Sequence, residues 1–288
     1  MMTIKKWLHA IGAQEDLNFL LTNRIPRHAA TLFMGWFSKI EHPWVRDASI
    51  RIWRSMADLK LEEAKNSEFR SLHDVFIREL KPGARPLDDS PNVLTSPCDG
   101  IVGALGRVED GSLFQAKGYP YSLEELLGED ALPVWRNGWF ITIRITSSMY
   151  HRLHAPYQGQ LKRVKYFSGD TWNVNPVALK RVEKLFCKNE RALLSVELGD
   201  SKHQVGLVAV AAILVASIRI HAIDALLGKA YRGPLDIACD ANFEKGQELG
   251  WFQHGSTVIL FAPSNFEMMN GVEEGTPIKM GQALMRMS

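Results

Sequence analysis

Three short segments hold side chains able to do chemistry. In Tyr150-His-Arg-Leu-His-Ala-Pro, His151 and His154 stand three residues apart, which places both on one face if the segment is helical, and Pro156 limits how far it continues. Imidazole titrates near neutral pH, so the two read as an acid/base pair. A metal is disfavoured, because no nearby Cys, Asp or Glu supplies a third ligand at the usual spacing and HxxH alone is a poor zinc signature. In Ser96-Pro-Cys-Asp-Gly, Asp99 follows a proline-fixed turn and could orient one of the rings, although Asp-Gly is equally common turn chemistry. The third segment, Gly250 to Phe261, carries Gly255 and Ser256 between two apolar stretches. A nucleophile elbow needs glycine two before and two after the serine and a helix behind it. Gln253-His-Gly-Ser-Thr-Val lacks that pattern, so in isolation the segment reads as a hairpin turn.

The elements that must position these residues divide near residue 80. Before it the pattern is helical. Residues 47–65 carry apolar side chains at 48, 52, 53, 56 and 59, and 71–80 predict another short helix. Lys81-Pro-Gly-Ala-Arg-Pro then breaks it. After it, apolar or β-branched runs at 100–105, 139–145, 161–166, 193–198, 205–220 and 257–262 alternate with glycine-centred turns, which predicts strands. Helical inserts are expected at 122–127 and 176–185. A small echo, Lys245-Gly-Gln-Glu-Leu-Gly and Lys279-Met-Gly-Gln-Ala-Leu, places Gly-Gln before an apolar position twice and supports strand entries in the C-terminal third. The chain therefore reads as α+β: an N-terminal amphipathic helical region over 1–80, then a mostly β, sandwich- or barrel-like domain over 81–288.

Charge narrows the function classes. The 288 residues hold 34 Lys+Arg against 32 Asp+Glu, a balance that disfavours a nucleic-acid binder. Three scattered cysteines make neither a disulfide scaffold nor a zinc site, and suit a reducing compartment. No secretory signal is expected, and the longest uncharged run, 205–218, falls short of a membrane span. The near-neutral total hides an asymmetry. Residues 1–60 have 9 Lys/Arg and 5 Asp/Glu, with four of the eight tryptophans, Trp7, Trp36, Trp44 and Trp53. Aromatics interleaved with Arg24, Arg27, Lys39, Arg46, Arg51 and Arg54 suit helices at a membrane surface or a cap packed on the main domain.

Taken together, the segments resemble the phosphatidylserine decarboxylase proenzymes of the pyruvoyl-dependent, prokaryotic type. The likeness runs along nearly the whole chain in order: the basic-aromatic N-terminal region, Phe76-Ile-Arg-Glu-Leu-Lys with Arg85-Pro-Leu, Ser96-Pro-Cys-Asp-Gly, Gln115-Ala-Lys-Gly with Tyr121-Ser-Leu, Tyr150-His-Arg-Leu-His-Ala-Pro, Asn189-Glu-Arg and Gly255-Ser-Thr-Val. The resemblance implies a chain that cuts itself between Gly255 and Ser256 into a β chain, 1–255, and an α chain, 256–288, with Ser256 becoming a covalent pyruvoyl cofactor. It implies that Asp99, His154 and Ser256 are the self-processing triad. His154 would act as general base and Asp99 would fix its tautomer. The implied activity is decarboxylation of phosphatidylserine to phosphatidylethanolamine through a Schiff base, with His151 the candidate proton donor.

The same resemblance turns the N-terminal region toward a peripheral membrane surface on the cytoplasmic side, with Phe76 and Ile77 candidates for an acyl path. It leaves oligomeric state open, with a homo-oligomer one possibility. One departure stands out: His254 precedes Gly255 where many members carry an apolar residue, often Leu. Because the reacting atoms belong to Gly255 and Ser256, His254 is expected to be neutral. Two other readings stay open, an unprocessed lipid-binding relative and a serine hydrolase using Ser256, His154 and Asp99.

Overall fold

The helical character of the first part takes the form of Glu15–Asn23, Arg27–Phe37, Pro43–Met56 and a short Leu72–Phe76. The computed structural model describes residues 14–115, 119–199, 203–214, 217–253 and 256–287. Trp7, residues 116–118 of the Gln115 motif, and the pair His254 and Gly255 lie outside the described residues.

Pro43 opens its helix, where a fixed φ and a missing N–H do no harm. The helix expected over 47–65 starts earlier and stops at Met56, with Ala57 extended at φ −129°. Tertiary pairing decides this: Lys65 N–H donates to the Glu79 carbonyl and Lys81 N–H to that of Glu63, so this stretch is used as an extended partner of 79–81. The same pairing ends the next helix at Phe76, after Ser71 has capped it by accepting the Asp74 N–H. Arg27 ties the helical region to the rest through a 2.6 Å ion pair with Asp170, its guanidinium 3.7 Å from the Trp172 ring centroid.

An eight-stranded antiparallel sheet dominates the remainder, in the order Asp236–Phe243, Gly159–Phe167, Arg191–Leu198, His203–Ala211, Ser256–Ala262, Trp139–Ile145, Gly100–Arg107 and Pro277–Ile278. Its two edge strands do not pair with each other, so the barrel alternative is not formed. Both faces are covered. On one, Ile143, Val258, Leu260, Leu194 and Leu207 meet Leu153, Ile218 and Phe252 of a four-stranded sheet. That smaller sheet is ordered Ala225–Gly228, Ser217–Ile220, Glu248–Phe252, Arg152–His154. On the other face, Phe140, Ile259, Phe261 and Val208 meet Leu126, Trp135 and Phe186 of the inserted helices.

The strand Ser256–Ala262 is buried at every position, as its unbroken apolar sequence requires of a central strand covered on both sides. Burial of Val258, Ile259, Leu260 and Phe261 contributes about 1.5–3 kcal/mol each. Three further short strands, Phe266–Met268, Pro277–Ile278 and Ala283–Met287, lie in the same C-terminal stretch, so residues after 255 are woven through the interior.

Three expected runs are refined. The run 205–220 is two strands, His203–Ala211 and Ser217–Ile220, in two different sheets. The insert 176–185 is two helices, Pro176–Arg181 and Leu185–Lys188, separated by Lys184 in the left-handed region at φ 53°. At 122–127 the helix is Leu123–Leu127, held by a reciprocal Ser122–Glu125 capping box.

Candidate active site

Ser256 is the first residue of the central strand, opposite Ile145 on one side and Ala211 on the other. The strand before it, Glu248–Phe252, belongs to the smaller sheet, so between Phe252 and Ser256 the chain passes from one sheet to the other. The strands flanking the expected hairpin turn therefore do not pair with each other. Ser256 is fully buried, and its Oγ has no hydrogen-bond partner among the described residues. A buried hydroxyl without a partner costs about 1–3 kcal/mol, which marks the position as one retained for something other than stability. Ser256 lines a cavity of about 230 Å³ together with Arg144, Ser147, Asn173 and Leu214.

The two histidines lie in extended chain. The strand Arg152–His154 follows His151 directly, so a spacing of three sends the side chains to opposite sides instead of to one helical face. The His151 carbonyl accepts the N–H of Phe252, four residues before Ser256. Its ring is fully buried against Phe76, with centroids 3.9 Å apart, and its Nδ1 is 2.9 Å from the Met149 carbonyl.

His154 is held at both nitrogens. Nδ1 lies 2.8 Å from the Gly246 carbonyl oxygen, and because a carbonyl only accepts, Nδ1 carries the proton. Nε2 lies 2.9 Å from the Tyr150 hydroxyl, which then donates to it. Burial pushes the His154 pKa below the ordinary imidazole value of 6.5, outweighing the opposing pull of Glu248 and Asp99. The ring is thus neutral at pH 7 with its basic lone pair on Nε2, the form a general base needs.

Asp99 is also buried, but its partner is not a histidine. Arg85 donates from Nε at 2.8 Å and from Nη2 at 2.5 Å, and the Met280 N–H donates at 2.9 Å. Arg85 simultaneously reaches Glu63 at 2.9 Å. The tautomer of His154 is fixed by Gly246, and the direct Asp99–His154 bond expected of a triad is not made among the described residues. Gly100, next to Asp99, opens a strand; it is glycine because a Cβ there would come within 2.4 Å of Ile143 Cγ2.

The repeated Gly-Gln turns explain how Asp99 and His154 are supported. In each turn the glutamine Oε1 accepts a backbone N–H three residues earlier, Glu244 for Gln247 and Lys279 for Gln282. Each glycine has the positive φ the turn needs, 78° at Gly246 and 87° at Gly281. The first turn presents the Gly246 carbonyl to His154, and the second presents the Met280 N–H to Asp99.

Sequence reasoning missed four residues. Tyr150 and Arg85 are the partners of His154 and Asp99, and both sit inside quoted motifs whose polar members were the available signal. Arg152 clamps two elements, donating to both Glu248 carboxylate oxygens at 2.7 and 2.8 Å and to the Ile77 carbonyl at 2.8 Å. Arg144 lines the Ser256 cavity. Ile77 therefore serves through its carbonyl.

Phe76 lies elsewhere, in the wall of an apolar cavity of about 540 Å³ formed with Met34, Phe37, Ile52, Trp53 and Leu72. Ser147 and Leu214 line both this cavity and the one at Ser256, so the two share a wall. The helices that line it leave large apolar side chains exposed: Leu32, Phe33, Trp36 (63 %), Trp44 (83 %), Ile52 and Met56. Among the described residues no helix is long and apolar enough to cross a membrane.

Ser256, His151, His154 and Asp99 are all buried, and the Ser256 hydroxyl bonds to neither imidazole among the described residues. Comparison with known proteins places the chain within one group of decarboxylases. A sequence model described as phosphatidylserine decarboxylase matches residues 72–286. A phosphatidylserine decarboxylase proenzyme of Brevibacillus brevis is 38% identical over 270 residues, covering 92% of this chain and 95% of that protein. Proteins of the same name from Aliivibrio fischeri and Saccharophagus degradans are 34% and 32% identical, each over more than nine-tenths of both chains. The chain belongs to the phosphatidylserine decarboxylase family.

Proposed function

We propose that this chain converts phosphatidylserine to phosphatidylethanolamine, using a pyruvoyl group that it makes from its own Ser256. The observation that carries the reading is the Ser256 hydroxyl, buried, without a partner among the described residues, and beside a cavity that shares a wall with an apolar one. A surface turn serine would have neither property.

Self-cleavage follows from the groups at hand. Ser256 Oγ attacks the Gly255 carbonyl carbon while a base takes its proton; the C–N bond breaks, the nitrogen gains a proton and an ester forms. Neutral His154, with its lone pair on Nε2, has the protonation state of that base, and Tyr150 must yield its place there. Removal of the Ser256 α-proton then breaks the Cβ–Oγ bond and expels the Gly255 carboxylate. The dehydroalanine left behind takes up water and loses ammonia. Asp99 and Arg85 hold the chain entering the sheet, and their part in processing is positional.

The pyruvoyl ketone would condense with the substrate amine and accept the electron pair released as carbon dioxide departs. His151, buried beside the crossing segment, is suited to return a proton to that carbon. The apolar cavity would receive part of an acyl chain, with Phe76 between it and His151. The exposed apolar helices, with their arginines, would rest on the cytoplasmic face of the cell membrane as a peripheral surface.

Denaturing electrophoresis with intact-mass measurement tests the reading. Two pieces ending and beginning at Gly255 and Ser256 are expected. An intact, active chain would refute it in favour of the hydrolase, and an intact, inactive one in favour of a lipid-binding relative.

A further inference from the structure

Arg144 differs from the other buried or half-buried arginines. Arg27, Arg78, Arg85, Arg152 and Arg191 each donate to a carboxylate or a carbonyl. Arg144 is partly buried between strand neighbours Ile101 and Thr257, and its guanidinium makes no hydrogen bond or ion pair among the described residues. It lines the 230 Å³ cavity at Ser256 and also a second of about 440 Å³, so the two cavities meet at this residue. In the Ser256 cavity it is the only charged residue among the described residues lining it. A guanidinium withdrawn from water without a counter-ion is unfavourable, and burial lowers its pKa. Such a group is kept where an anion arrives from outside.

We propose that Arg144 is the receptor for the phosphodiester of the substrate head group. The inference rests on the decarboxylase reading and names the group that holds the substrate. The head group offers two anions, a carboxylate and a phosphodiester. A cation on the carboxylate would stabilise the very charge that disappears when carbon dioxide leaves, and so would bind the ground state more tightly than the transition state. The phosphodiester keeps its charge throughout. Binding it contributes equally before and during reaction, and the planar fork of Arg144 suits two non-bridging oxygens. Such an anchor, next to Ser256, fixes the head group at the reacting end while the acyl chains extend toward the apolar cavity behind Ser147 and Leu214.

The test uses the full chain and its Arg144→Gln and Arg144→Lys variants, on phosphatidylserine in mixed detergent micelles. Each preparation is first checked by mass for completed cleavage. For Arg144→Gln, KM is expected to rise at least about tenfold, the effect of a lost charge-assisted hydrogen bond, with kcat within about threefold. Arg144→Lys should recover part of the KM. Calorimetry gives an activity-independent readout: glycerophosphoethanolamine should bind the wild-type chain at least about tenfold more tightly than the Arg144→Gln chain. If the glutamine variant does not fold, the lysine variant decides, with a smaller rise in KM at unchanged kcat expected. An unchanged KM and unchanged binding would overturn the proposal, as would a fall in kcat at constant KM, which would put the charge on the reacting carboxylate. A wild-type chain that stays whole and inactive would overturn the decarboxylase reading itself; an active wild type with an indifferent Arg144 would remove only this assignment.

Discussion

The Tyr150 hydroxyl sits 2.9 Å from His154 Nε2, filling the one basic lone pair that the Gly246 carbonyl leaves on that ring. In the proposed self-cleavage the base would therefore be present but covered in the uncut chain. Replacing Tyr150 by Phe removes the competing donor and keeps the ring's shape. Tyr150→Phe should cleave at least as fast as wild type in a timed gel assay, whereas His154→Ala should stay whole. A Tyr150→Phe chain that fails to cleave would make the tyrosine a participant.

The protonation state of His154 sets a pH dependence. Its folded pKa lies below 6.5 because burial disfavours the imidazolium. Only the neutral ring can act as base, so the cleavage rate should be flat above neutrality and fall as pH drops through a midpoint below 6.5. For stability the sign is the same: the unfolded chain binds the proton more readily, so this residue's contribution is lost as pH falls below the unfolded value. Rates measured on freshly refolded chain from pH 5 to 8 check this, and a midpoint above 6.5 would contradict it.

Asp99 and Arg85 form a buried pair, so removing one member leaves the other charge in the interior. Asp99→Asn should lower stability by about 3 kcal/mol in urea unfolding, with Arg85→Met comparable. Were Asp99 acting directly on His154, Asp99→Asn would lose cleavage while an equally destabilised Arg85→Met chain kept it.

In the proposed cleavage the reacting atoms would belong to Gly255 and Ser256, the two residues after His254. His254→Leu is expected to cleave at the wild-type rate, read by the same timed gels. A large change in rate would give that histidine a share in the proton transfers.

The outward face of the N-terminal helices carries Trp36 and Trp44, the latter 83 % exposed. A Trp36→Ser, Trp44→Ser chain should bind anionic phospholipid vesicles about tenfold more weakly in a sedimentation assay, with unchanged unfolding behaviour. Vesicle binding equal to wild type would return those helices to the role of a cap.

Strands whose pattern is set by burial on both faces were legible in the sequence. The run 139–145 is the strand Trp139–Ile145, and the apolar stretch after Ser256 is the central strand. Segments whose form depends on distant partners were not. Residues 60–65 look helical until Glu63 and Lys65 pair with Lys81 and Glu79. The two histidines suggest one helical face until the strand Arg152–His154 pairs with Glu248–Phe252. The candidate site residues could be chosen by type, and all of Asp99, His151, His154 and Ser256 are buried. Of their partners, Tyr150 stands in the same motif as His154 and Arg85 in the neighbouring Arg-Pro-Leu motif, so type was the available signal, whereas Gly246 comes from a distant turn and no local pattern announces its contact.

Conversion of Ser256 would be visible in the mass of the purified chain under denaturing conditions. Two species are expected, residues 1–255 and residues 256–288, the smaller lighter by one ammonia than an unmodified peptide and blocked to amino-terminal sequencing. Because its central strand is buried on both sides, the two should separate only on denaturation. A single species of full-length mass in an active preparation, or a smaller piece with an ordinary amino-terminal serine, would contradict it.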